Sequence, residues 1–96
     1  MALKTYPYDT AEFLTTDEAI AEYLNLSLES NDPREIAQAI GSVARARGGI
    51  AELARQTGLT REALHRALSE TGNPEFATVL KVMHALGVKL SASMVA

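Results

Sequence analysis

Cysteine is absent from this sequence, and its absence excludes both a disulfide framework and a thiolate metal site. Long apolar runs are also missing, so no segment reaches the length of a membrane span. The N-terminus carries Lys4 without an apolar stretch after it, which is unlike a secretory signal peptide. We therefore expect a cytoplasmic protein that has no membrane partner.

Motifs for enzyme chemistry are equally scarce. The two histidines, His65 and His84, lie far apart in sequence, and no paired carboxylates, phosphate-binding loop or metal-ligand spacing accompany them. We predict a protein that is not an enzyme and that holds neither a cofactor nor a metal. Its 96 residues suit one small domain, and a hydrophobic fraction of 47% is enough to form a core.

The charges are divided unevenly along the chain. The net charge of −3 argues at first against a nucleic-acid partner. Residues 1–40, however, hold two basic and eight acidic residues, whereas residues 41–96 hold seven basic and four acidic ones, which gives −6 and +3. The basic C-terminal half could meet phosphates and the acidic N-terminal half a basic protein, although ordinary surface variation is the alternative interpretation.

Helical spacing of apolar residues predicts an all-α, compact bundle of about five short helices. Residues 1–14 are expected to form an extended arm, whose Tyr6, Tyr8, Phe13 and Leu14 fold back onto the helices. A first helix is predicted over 17–30, with Thr15 and Glu18 as a capping box. A second is predicted over 33–47, with Asp32 as its N-cap and Pro33 in its first turn.

The C-terminal region is predicted to hold one more helix. Asn73 and Pro74 indicate a cap and a first turn, so we expect a helix over 74–86 that ends before Gly87. From Val88 to Met94, apolar and polar residues alternate, which fits a short strand or an extended tail. A terminal strand would offer a place for a second subunit to pair.

Residues 50–69 are the most informative segment. Ile50, Leu53 and Ala54 share one face of a short first helix, and Gly58 follows where a left-handed residue can end it. Leu59 is expected to pack under the turn, and Thr60 to cap a second helix. Two short amphipathic helices that meet at a glycine turn are typical of a helix-turn-helix, whose second helix can enter the DNA major groove.

The polar residues of that second helix are the candidate DNA contacts. Arg61 and Arg66 can each donate two hydrogen bonds to guanine O6 and N7, or bind a phosphate. Glu62 can accept from cytosine N4 or hold an arginine in position, and His65 can donate to a base or a phosphate. Thr60 and the free N–H groups at the helix start suit a phosphate. The plainer alternative is a solvated helix face.

Two arginines lie just before the motif. Arg45 and Arg47 stand at the end of the predicted second helix, close in sequence to the first motif helix. They are candidate phosphate contacts, and an ordinary solvated helix end is the alternative.

Three segments, with the ending Leu-Gly-Val-Lys-Leu at 86–90, resemble a known family. They are Tyr8-Asp9 followed by Phe13-Leu14; Ala44-Arg45-Ala46-Arg47-Gly48-Gly49; and Thr60-Arg61-Glu62-Ala63-Leu64-His65-Arg66-Ala67-Leu68-Ser69-Glu70-Thr71-Gly72-Asn73-Pro74-Glu75-Phe76. The sequence resembles lambda-repressor/Cro-like (XRE-type) helix-turn-helix domains, and more closely the addiction-module antidotes, HigA-type antitoxins. The resemblance covers nearly the whole chain.

The resemblance implies a prokaryotic antitoxin that neutralises a small basic toxin of the RelE/ParE type by direct binding and represses its own operon. By position, Thr60, Arg61, Glu62 and Arg66 match the groove-facing places of the lambda-like recognition helix. Residues 1–32 would contact the toxin and residues 33–96 the DNA, within one compact domain. Where lambda-like domains often have a phosphate-binding glutamine this chain has Ile50, so backbone N–H groups or a nearby arginine would take that contact.

Two other functions remain open at this point. A stand-alone helix-turn-helix regulator would lack a toxin, and a gene for a basic protein of similar size beside this one would argue against it. A protein-interaction module that has lost DNA binding would account for the negative net charge and for Ile50. If the chain binds DNA, we expect a homodimer on an inverted-repeat operator, because one recognition helix covers only a few base pairs.

Overall fold

The computed structural model describes residues 10–95 and the side chains of residues 12–95. A short 3₁₀ helix, Thr10–Phe13, precedes the α-helices, which are α1 (Asp17–Glu29), α2 (Pro33–Ala46), α3 (Gly49–Thr57), α4 (Arg61–Ala67) and α5 (Phe76–Ala85). The prediction of an all-α chain with about five short helices is confirmed for this part of the chain.

The starts of α1 and α2 are fixed by side-chain caps. The Thr16 hydroxyl accepts a hydrogen bond from the backbone N–H of Ala19 at 3.1 Å, so the predicted capping box of Thr15 and Glu18 is wrong by one residue. At α2 the prediction is confirmed, since Asp32 Oδ1 accepts from the N–H of Arg34 at 3.0 Å and Pro33 occupies the first turn.

The last helix begins later than its sequence predicts. Phe76 is the first residue of α5, and Glu75, at the N-cap position, makes no side-chain capping bond. Asn73 and Pro74 lie in the preceding loop, so their predicted roles as cap and first turn are wrong. Gly72 is buried where this loop passes close to the backbone at the end of α4, and the helix begins only after that close approach.

The predicted C-terminal strand is not formed. Residues 88–95 have no regular secondary structure, and Val88 instead donates its N–H to the Met83 carbonyl at 2.9 Å. A strand needs a neighbour to pair with its backbone, and no strand is present among residues 10–95. Of the two predictions for this segment, a short strand or a tail, the structure agrees with the tail.

The hydrophobic core is centred on α2. Ile40, Val43 and Ala44 of this helix are fully buried, and Leu64 of α4 and Val82 of α5 pack into the same cluster. Helix α2 contacts α1 on one side and α3 on the other, and α3 in turn contacts α4 and α5. The core therefore fixes the position of α4, the candidate recognition helix, through the buried Leu64 and through the contact of α4 with α3.

Among the described residues, the segment before α1 is not the extended arm that the sequence predicts, since Thr10–Phe13 forms a 3₁₀ helix that contacts α2. It is only partly packed onto the helices. Leu14 is buried in the core, as predicted, whereas Phe13 remains about half exposed, at 55%. Tyr6 and Tyr8 lie outside the described residues. Across residues 10–95, no helix combines the length and apolar character needed to cross a membrane.

Candidate nucleic-acid interface

A short turn of residues 58–60 joins α3 to α4. Gly58 adopts a left-handed conformation, with φ of 79°, and its N–H donates to the Ala54 carbonyl at 2.9 Å. Leu59 packs against the core beneath the turn, and the Thr60 hydroxyl accepts from the N–H of Ala63 at 3.0 Å. The predicted local roles of Gly58, Leu59 and Thr60 are all confirmed.

Helix α4 is held in place by its apolar side. Leu64 is fully buried and Leu68, just after the helix, is nearly so. A helix as short as Arg61–Ala67 has little stability of its own, so packing of these leucines maintains it. The opposite side of α4 is thereby turned to solvent.

Four of the predicted site residues lie together on that solvent side. Arg61, Glu62, His65 and Arg66 are all exposed. Within residues 12–95 their side chains form no hydrogen bond and no ion pair, even though Glu62 and Arg66 stand one helical turn apart. The guanidinium and imidazole groups are therefore available to a ligand.

Thr60 differs from these four. Its hydroxyl oxygen is occupied as the acceptor of the α4 cap, while its exposed position leaves the hydroxyl proton available for donation. The residue therefore fixes where α4 begins, and it lies at the edge of the exposed face.

The side chains of Arg45 and Arg47 are both engaged in contacts with other parts of the protein. Arg45 Nη2 donates to the hydroxyl of Ser42 at 3.0 Å, and its side chain lines a groove beside α1. Arg47 forms an ion pair with Asp17 at the start of α1. Both side chains would have to leave these contacts in order to bind a phosphate.

A polar network on α3 lies outside the residues that sequence reasoning selected. Glu52 accepts hydrogen bonds from Arg55, with Nε at 3.0 Å and Nη2 also in contact, and from Gln56 Nε2 at 2.9 Å. The hydrogen bond from Arg55 holds the pKa of the Glu52 carboxyl below its usual value and raises that of Arg55. The i,i+3 and i,i+4 spacing of these residues is the sequence pattern from which the network could have been predicted.

Comparisons with known proteins agree with the resemblance to addiction-module antidotes. The sequence model of a family described as "probable addiction module antidote protein" matches residues 4–94. An uncharacterised protein of Haemophilus influenzae is 49% identical over 82 residues, which span 85% of this chain and 84% of that protein. No solved structure matches this chain.

Proposed function

Because this chain belongs to the family of probable addiction module antidote proteins, we propose that it neutralises a RelE/ParE-type toxin by direct binding and represses its own operon. Membership of this family indicates a regulatory protein with a toxin partner rather than an enzyme. We further propose that α2 to α5 form a lambda-repressor-like helix-turn-helix unit, and that the protein acts in the cytoplasm, where its operator and toxin would be found.

DNA binding is proposed for the exposed face of α4. The observation that carries it is a group of four side chains without a partner among residues 12–95, those of Arg61, Glu62, His65 and Arg66, on a short helix fixed by buried leucines. A recognition helix needs this combination, because its polar side chains must reach base edges while its backbone stays in a defined position. Arg61 and Arg66 are the proposed base contacts, and Thr60 and His65 are proposed to contact the phosphate backbone or a base.

A homodimer on an inverted repeat is the proposed binding unit. The exposed face of α4 spans less than two helical turns, so one copy would read only a few base pairs. Two copies related by a two-fold axis would double the contacts and match a palindromic site. Arg45 and Arg47 are proposed as additional phosphate contacts, which would require release from Ser42 and Asp17.

The proposal is tested by a salt-titrated binding assay on the DNA upstream of the gene, with a scrambled duplex as reference. The wild-type protein should prefer the upstream DNA, and its affinity should fall steeply as the salt concentration rises. Arg61→Ala and Arg66→Ala should each weaken binding by about 1–3 kcal/mol. Arg34→Ala, an exposed arginine at the start of α2, is the matched control and should leave the affinity unchanged.

Unchanged affinity in both α4 variants would refute the proposed recognition helix. If the wild-type protein alone shows no preference, the same titration is repeated with the co-encoded toxin present. A preference that appears only then would make the toxin a co-repressor, and its continued absence would refute operator binding.

A further inference from the structure

A groove of about 1070 Å³ runs between α1 and α2 and reaches the end of α4. Leu14, Leu68 and Ala39, all buried, and the half-buried Tyr23 are among its lining residues. The serine hydroxyls within it are engaged internally, since Ser27 donates to the Leu24 carbonyl at 2.8 Å and Ser42 accepts from Arg45. The groove therefore offers apolar contact beside charged side chains, among them Glu22, Arg34 and Glu70.

The α1 wall of this groove carries an exposed leucine between carboxylates. Glu18, Glu22, Leu26 and Glu29 follow at i, i+4, i+8 and i+11, which puts them on one face of the helix. Leu26 lines the groove, yet 57% of its surface remains exposed. An exposed leucine that continues a partly apolar groove is the usual centre of a protein contact, with polar groups around it.

The charge on the α1 wall of the groove is of one sign, although Arg34 and Arg45 also line the groove. Helix α1 contains four acidic residues and no basic ones. Glu18, Glu22 and Glu29 form no ion pair within residues 12–95, whereas the fourth, Asp17, is paired with Arg47. On the opposite wall Arg45 donates to the neutral Ser42 hydroxyl and keeps its positive charge, and within residues 12–95 it forms no ion pair with the carboxylates of α1.

We propose that this groove is where the toxin docks, through a basic amphipathic segment that places an apolar side chain on Leu26 and its cationic groups between Glu18, Glu22 and Glu29. The inference rests on the proposed function, because that function supplies a basic protein partner. DNA would be repelled by the same carboxylates. A second copy packed α1 against α1 would bring like charges together, which disfavours it as the occupant.

The test measures the affinity of the full chain for the co-encoded toxin and its affinity for operator DNA. Leu26→Asp places a charge at the centre of the contact, and Glu22→Lys reverses a charge on its rim. Each should weaken toxin binding by about tenfold or more, and Glu22→Lys should also reduce its dependence on salt. Operator affinity should stay within about twofold of wild type, because both substitutions lie on α1 and neither changes a proposed DNA contact.

The matched controls lie on or beside α5. Leu80 is another exposed leucine, at 44%, and Glu75 another exposed glutamate. Leu80→Asp and Glu75→Lys should leave toxin affinity within about twofold of wild type, as is usual for substitutions outside an interface. Circular dichroism establishes whether each variant is folded. If Leu26→Asp does not fold, Glu22→Lys provides a second probe, because Glu22 lies at a solvent-exposed position.

Three outcomes would overturn the inference. If the wild-type protein neutralises the toxin and both α1 variants bind it as well as the controls do, the groove is not the docking site, although the antitoxin function stands. If Leu26→Asp changes the oligomeric state but not toxin affinity, a second copy covers the groove. If it changes the free energy of unfolding but not toxin affinity, the chain itself covers the groove. Failure of the wild-type protein to neutralise the toxin would refute the proposed function itself.

Discussion

Gly72 lies where the loop after α4 passes closest to that helix. A Cβ atom built on this residue would stand 2.2 Å from the Ala67 carbonyl oxygen and 2.5 Å from that of Arg66. Both neighbours are backbone atoms, so a side chain at this position would push the loop away from the end of α4. Gly72 therefore determines how closely the candidate recognition helix is joined to α5.

Gly72→Ala should consequently destabilise the protein by about 1–3 kcal/mol, the range typical of overpacking. The free energy of unfolding from urea denaturation measures the effect. Asn73→Ala is the control, because Asn73 is exposed and caps no helix, and its effect should stay within about 0.5 kcal/mol. A stable Gly72→Ala protein would show that the loop can move away from α4 without cost.

Glu52 allows a prediction about pH at a single residue. Because Arg55 stabilises the ionised carboxylate by hydrogen bonding, the pKa of Glu52 in the folded protein should lie below the usual glutamate value. Whatever stability the pair contributes is present above the usual pKa and is lost as the pH falls through the lowered one. Both groups are exposed to solvent, so the measurable quantity is the pKa and not the stability.

An NMR titration of the Glu52 side-chain carbon should therefore give a midpoint below the usual range in the wild-type protein. In Arg55→Ala the midpoint should rise towards the usual value. In Arg34→Ala, where the arginine removed makes no contact with Glu52, the midpoint should stay as in the wild type. Equal midpoints in all three proteins would mean that the hydrogen bonds of this pair are not formed in solution.

At the scale of elements, only one of the two adjacent threonines before α1 caps the helix. Thr16 accepts the hydrogen bond from Ala19, whereas Thr15 is exposed and has no part in the cap. Thr16→Ala should cost about 1 kcal/mol of stability, and Thr15→Ala should be nearly neutral. Urea denaturation measures the free energy of unfolding of each variant. If Thr15→Ala were the less stable of the two, the predicted capping box of Thr15 and Glu18 would be supported instead.

Elements fixed by neighbouring residues are the ones that the sequence predicts well. Pro33 and Asp32 set the start of α2, and Gly58 and Thr60 set the turn between α3 and α4, because caps and glycine turns act over three or four residues. The start of α5 depends instead on Gly72 packing against α4. The C-terminal strand depends on a pairing neighbour, which no local pattern reveals.

The same division applies to the candidate site. The exposed face of α4 follows from helical periodicity, since Leu64 identifies the buried side and the charged residues the other. The ion pair between Arg47 and Asp17 joins residues far apart in the chain, so only the packing of α1 on α2 brings them together. A sequence pattern places Arg47 near the motif but cannot show that its side chain is engaged.

For the whole molecule, the uneven charge corresponds to two surfaces on different elements. Within residues 12–95, three carboxylates of α1 form no ion pair, and neither do the two arginines of α4. In the proposed function, these surfaces meet partners of opposite charge, a basic toxin and the DNA backbone. The net charge of −3 does not reveal these two surfaces, because it is the sum of an acidic half and a basic half of the chain.

Separate surfaces predict separable functions. Arg66→Ala should lose operator affinity yet neutralise the toxin as the wild-type protein does, because Arg66 lies on α4 and the proposed docking groove lies between α1 and α2. Growth rescue of toxin-expressing cells measures neutralisation, and a reporter driven by the operon's own promoter measures repression in the same cells. Loss of rescue by a folded Arg66→Ala protein would show that toxin and DNA share one surface, and toxin binding would then be expected to displace the repressor from its operator.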